Sequence, residues 1–222
     1  MHLDLDLDLD LEGRNMPRVL ALSGSLRRDS MNSLLLRTLP ALSPVGLKWD
    51  TFDGLGDLPI YDQDRDTDTP PAPVARLRAA IAAADGLVIA TPEYNHSIPG
   101  VLKNAIDWAS RPVAAPALTG KGVGILVATS GRASGFRALA EATKVLNNLS
   151  NVVVPSPELV INTAHTVVGR TPAGEPTLSD PVAARLIRVH LNVLAALLAH
   201  DVPRLLLRSI QRHHNEHFAA AG

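Results

Sequence analysis

The 222-residue chain contains no cysteine, which excludes disulfides, thiolate metal sites and cysteine nucleophiles together. Aromatic residues make up only 3%, so a core has to be assembled from Leu, Val, Ile and Ala. Charge lacks a dominant sign: 21 Lys and Arg face 22 Asp and Glu, and a net charge of -1 offers no basis for binding nucleic acid or an anionic membrane surface. No uninterrupted apolar stretch is long enough to span a bilayer. The absence of cysteine fits a cytoplasmic protein, and the first residues lack the basic start and apolar run of a secretory leader. Three nucleotide and nucleophile fingerprints are also missing: G-x-G-x-x-G, G-x-x-x-x-G-K-[ST] and the G-x-S-x-G elbow. The last absence ranks a hydrolase built on Ser25 or Ser130 lowest among the functions considered.

What is present is an alternation of short apolar runs and helical spacings. Leu-Asp alternation marks the stretch up to Glu12, and residues 1–16 read as a disordered or low-complexity extension. Residues 17–200 carry the pattern of one domain, and residues 201–222 form a basic, His-containing tail. Inside the domain, strands are expected at Val19–Leu22, Leu47–Phe52, Leu87–Ala90 and Gly122–Ala128. A last strand region begins at Val152 and is interrupted by Pro155 and Pro157. Helices are expected over Asn32–Leu42, Val74–Ala84, Val101–Ser110, Gly135–Leu149 and Pro181–His200. Buried-type strands alternating with helices predict a parallel sheet covered on both faces.

Ligands of such a sheet bind beyond the carboxyl ends of the strands. Three loops there are polar. The first, Ser23-Gly24-Ser25-Leu26-Arg27-Arg28-Asp29-Ser30-Met31-Asn32, runs from a strand into a helix N-terminus, where free N–H groups and the helix dipole favour an anion. Its hydroxyls and Arg27 suit a terminal monophosphate; a Ser-rich helix cap with a solvated Arg accounts for them equally well. The second, from Thr91 to Ser97, combines a stiffening Pro92 with Tyr94 and Asn95 and can edge a flat heterocycle, or it is an ordinary turn with Asn95 or Ser97 capping the next helix. The third is Thr129-Ser130-Gly131-Arg132.

Two stretches carry a family resemblance. Gly24 to Asn32 resembles the phosphate loop of the NADPH-dependent FMN reductases. The ungapped run Pro92-Glu93-Tyr94-Asn95-His96-Ser97-Ile98-Pro99-Gly100-Val101-Leu102-Lys103-Asn104-Ala105-Ile106-Asp107-Trp108 resembles that family's second signature. The resemblance covers roughly residues 17 to 200. It implies a flavodoxin-like, doubly wound, five-stranded parallel sheet of strand order 2-1-3-4-5, FMN as cofactor and NADPH or NADH as cosubstrate. It further implies electron transfer to quinones or other small acceptors such as flavin, chromate or azo compounds, and a homodimer or homotetramer. Ser25, Arg27, Ser30 and Asn32 would hold the FMN phosphate or shape its loop. Pro92, Glu93, Tyr94 and Asn95 would border the ring, largely through backbone atoms, and Thr129, Ser130 and Gly131 would close its third side. Because the cofactor performs the redox step, no general acid or base is assigned. Arg137 and Glu158 match inter-subunit positions of the family, whereas Ala140 stands where many relatives have Tyr. A non-enzymatic flavodoxin-type carrier or flavin-dependent regulator on the same fold is the alternative function.

Other features carry less weight. His213, His214 and His217 do not form an H-E-x-x-H motif and sit in the tail. Trp108 is expected in the core. Asp57, Asp62, Asp64, Asp66 and Asp68 read as a solvated charge run in a loop that is long for its place.

Overall fold

A computed structural model describes residues 16–44, 46–132 and 134–218. The Leu-Asp extension lies outside the described residues, as do the side chains of His214 and His217. The central strands are β1 (Arg18–Ser23), β2 (Lys48–Phe52), β3 (Gly86–Thr91) and β4 (Gly122–Ala128). Every residue of β3 and β4 is buried, which is why these strands read as unbroken apolar runs. The fifth position is shared by two short strands, β5 (Val152–Val153) and β6 (Leu159–Ile161), which both pair with β4. Pro155 and Pro157 lie between them, where a missing N–H breaks the ladder. The parallel order is β2-β1-β3-β4-β5, as the resemblance implies.

Helices cover both faces. On one face, α2 (Ala72–Ala83), α3 (Gly100–Ala109) and α4 (Phe136–Asn148) set Leu77, Ile81, Leu102, Trp108 and Leu146 against Leu20, Leu87, Ile89, Ile125 and Val127. On the other, α1 (Met31–Leu42) and α5 (Pro181–Ala199) set Leu35, Leu39, Ile187, Leu191 and Leu194 against Val19, Ala21, Val88 and Leu126. Helix α5 is long and apolar enough, by length and composition, to cross a membrane. It carries Arg185 and Arg188, however, and lays its Ile187, His190, Leu191 and Leu194 face against the sheet. Its start is fixed by Asp180, whose Oδ1 accepts from the N–H groups of Val182 and Ala183, with Pro181 at the first helical position.

Three segments differ from the sequence expectation. An antiparallel pair, β7 (Val168–Arg170) with β8 (Pro176–Leu178), precedes α5. Beyond residue 200 the chain forms a helix, α6 (Val202–Phe218), that packs Leu207 against Gly120 and pairs Arg204 with Asp85 at 2.9 Å. The acidic loop is anchored: Trp108 Nε1 and Asn104 Nδ2 both donate to the Pro59 carbonyl, at 2.8 and 2.9 Å. Tyr61 N donates to Asn104 Oδ1 at 2.7 Å. Asp66, read as part of a solvated run, instead forms a largely buried ion pair with Arg78 at 2.6 Å, because Arg78 is held over Trp108 and needs a counter-charge there.

Candidate functional site

The three polar loops all leave the carboxyl ends of neighbouring strands. They follow β1, β3 and β4, so they converge where the strand order reverses between β1 and β3. Gly24 lets the first two loops meet: its N–H donates to the Ala90 carbonyl at 2.8 Å, and a Cβ there would stand 2.6 Å from the Thr91 hydroxyl.

The first loop is stitched by its own hydroxyls. Ser33 Oγ donates to Ser23 Oγ at 2.8 Å, and Ser25 N donates to the same Ser23 oxygen at 3.3 Å. Ser25 Oγ accepts from Arg27 N at 3.4 Å, and Ser30 Oγ caps α1 by accepting from Ser33 N at 3.3 Å. Because both hydroxyls act as acceptors in these bonds, each keeps its own proton to donate to a ligand. Ser23, Ser25, Arg27, Arg28, Ser33 and Arg37 line a cavity of about 220 Å³ at this helix start, with Thr51, Phe52 and the acidic Asp53 on its β2 side. Hydroxyl donors, a guanidinium and a helix N-terminus form a donor set that fits a terminal phosphate.

Asn32 does something else. Its Nδ2 donates to the Ala128 carbonyl at 3.0 Å, and its Oδ1 accepts from Ala128 N at 3.2 Å. The amide is buried and latches the first turn of α1 to the end of β4. Asn32 therefore shapes the loop.

The second loop is a two-residue turn. Tyr94 N donates to the Ser97 carbonyl and Ser97 N to the Tyr94 carbonyl, both at 3.0 Å. Asn95 and His96 at its tip have φ of 51° and 65°, the left-handed pair of a type I′ turn, which Asn tolerates better than most residues. Neither Asn95 nor Ser97 caps α3, whose N-cap is Pro99. Pro92 is buried, whereas Tyr94 and Asn95 are exposed.

Glu93 is the residue whose side chain a linear reading misplaces. Its carboxylate is only 5% exposed, so it does not face solvent. Glu93 Oε2 accepts from the N–H groups of Gly135, Arg137 and Ala138, at 2.8, 3.1 and 3.2 Å. It is the cap of α4, whose own N-cap residue, Gly135, has no side chain to offer. Burial works to raise the Glu93 pKa, but the bonds from Ala138, Gly135, His96 and Arg137 outweigh it and hold the carboxyl below the ordinary glutamate value. The one sequence signal for this arrangement was a helix start without Ser, Thr, Asp or Asn at its cap. Gly135 itself is required, with φ of 113° and a would-be Cβ 2.6 Å from Val160 Cγ1.

The third loop is held from behind. Ala164 N donates to the Thr129 carbonyl at 2.8 Å and Thr163 N to the Gly131 carbonyl at 3.0 Å. Thr129 Oγ1 and Ser134 Oγ share a hydrogen bond at 2.7 Å. Thr129 is buried, Ser130 is exposed and Gly131 is half-buried. The loops together present hydroxyls and a guanidinium at one end and backbone edges at the other, with Glu93 tying the second loop to the third. Among the described residues, no group of three or more His, Asp or Glu is arranged to hold a metal ion.

The profile of the NADPH-dependent FMN reductases matches residues 17–166. A quinone reductase of Escherichia coli (strain K12) is 41% identical over 144 residues, covering 64% of this chain and 76% of that protein. An NAD(P)H-dependent FMN reductase of Pseudomonas aeruginosa is 40% identical over 177 residues, covering 80% of this chain and 92% of that protein. Among solved structures, a flavoenzyme NAD(P)H:(acceptor) oxidoreductase from Paracoccus denitrificans superposes with a TM-score of 0.72 at 29% identity, covering 83% of this chain and 98% of that one.

Proposed function

The chain belongs to the NADPH-dependent FMN reductase family, and on that premise we propose that it oxidises NADPH or NADH and reduces quinones or other small acceptors at one site. FMN held at this site would supply the redox chemistry between the nicotinamide and the acceptor. The chain's own residues bind, orient and shield. Ser25, Ser30 and Arg27 hold the phosphate at the start of α1, while Asn32 keeps that helix in place from behind. Pro92, Tyr94 and Asn95 border the ring on one side, and Thr129, Ser130 and Gly131 on the other. The observation that carries this reading is a phosphate-type donor set on the first loop, with the second loop tied beside it through Gly24 and Ala90 and to the start of α4 through Glu93, at the switch point of the sheet. Family membership favours an enzyme over an electron carrier.

Two finer features complete the reading. The protein works as a homodimer or homotetramer with the ring near the interface. Support comes from Leu26 and Tyr94 on the first two loops and Phe136 at the start of α4, large side chains that are 61%, 47% and 57% exposed around the site. It acts in the cytoplasm, where NADPH and NADH are supplied.

The test is the absorbance of the purified protein with FMN, followed by consumption of NADPH and NADH with a benzoquinone. A flavin-loaded protein with turnover is expected. Flavin binding without turnover would return the carrier reading, and absence of flavin binding would overturn the site. Light scattering on the holoprotein addresses assembly: a monomer with full activity would remove the interface and leave the reductase.

A further inference from the structure

We propose that Glu93 is a positioning residue whose carboxylate, by occupying the N-terminus of α4, locks the second loop against the third and so sets the width of the cleft that receives the flavin ring. The inference rests on the reductase reading for the identity of the ring. The lock itself stands on geometry.

Three main-chain donors of α4 converge on one carboxylate oxygen that is carried by a different loop, 42 to 45 positions earlier in the chain. An ordinary cap comes from the residue before its helix and joins nothing else. This one makes the start of α4 and the turn carrying Tyr94 and Asn95 a single body. The other carboxylate oxygen, Oε1, lies 3.5 Å from His96 Nδ1 at the tip of that turn. His96 Nδ1 is in turn 3.1 Å from the Arg137 guanidinium on α4. The second loop is thus fastened to the third at its base by Glu93 and at its tip through His96 and Arg137. Otherwise the second loop is closed on itself by the Tyr94–Ser97 pair and the third is held by Thr163 and Ala164, and Gly135, between the third loop and α4, has a φ that favours glycine.

A second consequence is electrostatic. Helices α1 and α4 are two of the helices that begin at this end of the sheet, and the N-terminus of either would attract an anion. Glu93 fills the second with a carboxylate of the chain's own, which removes it as a competitor of α1 for the phosphate.

The test compares Glu93→Ala and Glu93→Gln with Asp180→Ala in the holoprotein. Asp180 caps α5 in the same chemical way but lies on an element that frames no part of the cleft. Glu93→Ala is expected to weaken FMN and riboflavin by the same factor, about tenfold for the loss of a charge-assisted cap. It should also shift the visible band of the bound flavin and slow its single-turnover reduction by NADPH. Glu93→Gln, which retains one acceptor oxygen, should recover part of each effect. Asp180→Ala should lower the melting temperature and leave flavin affinity, spectrum and reduction rate alone. If both alanine variants lose only stability, Glu93 is a plain structural cap and the proposal is overturned. Weakening of FMN without riboflavin would also overturn it, because the residue would then act on the phosphate. If Glu93→Ala does not fold, Glu93→Gln with an unchanged spectrum and reduction rate is the overturning result. Wild-type protein that binds neither flavin would instead defeat the reductase reading, whatever the variants do.

Discussion

Replacing Asn32 by Ala removes the two hydrogen bonds that join the first turn of α1 to the main chain of Ala128, at 3.0 and 3.2 Å. Asn32 is 3% exposed and Ala128 is 1% exposed, so water cannot take the amide's place without opening the structure. Each bond contributes about 0.5–1.5 kcal/mol net, and a buried main-chain donor or acceptor left without its partner costs about 1–3 kcal/mol. Part of that penalty is relieved by relaxation of the loop, which puts the loss at about 2–4 kcal/mol. Urea unfolding of the apoprotein measures it as a lower midpoint at unchanged slope. The same variant should weaken FMN and riboflavin by similar factors, because Asn32 supports the phosphate loop without facing the phosphate. A loss of stability under about 1 kcal/mol, or selective weakening of FMN, would refute the latch and return Asn32 to the phosphate.

Arg27→Ala should weaken FMN roughly 5- to 30-fold and riboflavin hardly at all, since only FMN brings the charge and an exposed guanidinium contributes at the low end of charge-assisted bonds; fluorescence titration with both flavins decides it. Burial lowers the pKa of His190 against the raising effect of its bond to the Pro157 carbonyl. Its proton therefore binds the unfolded chain better. The stability it contributes is complete above the ordinary histidine pKa of about 6.5 and is lost as pH falls through the lower folded value. Unfolding free energy should thus fall between pH 7 and pH 5 more steeply in the wild type than in His190→Gln, and equal slopes would exclude the residue. Trp108→Phe, which removes the donor to Pro59 at 2.8 Å, should cost about 1–3 kcal/mol and expose residues 53–71 to proteolysis; an uncut loop would show that Asn104 anchors it alone. Deleting residues 1–15 should leave flavin affinity and melting temperature unchanged, and a large drop in melting temperature would show that the Leu-Asp segment pairs with the fold.

Much of this molecule was legible without coordinates because the signals are local. Continuous apolar runs such as Leu87–Ala90 can only be strands covered on both faces, and Pro155 and Pro157 announce a broken ladder wherever the strand lies. Ser30 caps the helix that follows it directly, so the start of α1 was visible in the residues around it. The long signature from Pro92 to Trp108 identified the family, and with it the strand order. Tertiary structure decided whatever depends on a partner far along the chain. Asn32 looks like a phosphate-loop residue until its amide is seen on Ala128, 96 positions away. Glu93 looks like one more residue bordering the ring until α4 arrives with three N–H groups for its carboxylate. Asp66 looks like one of five solvated acids until Arg78, held over Trp108, needs a counter-charge. Composition and periodicity record what a residue prefers on average, but a hydrogen-bonding side chain has several acceptable partners. Which one it takes is settled when packing brings a particular main-chain group within 3 Å of it and removes the water that would have competed.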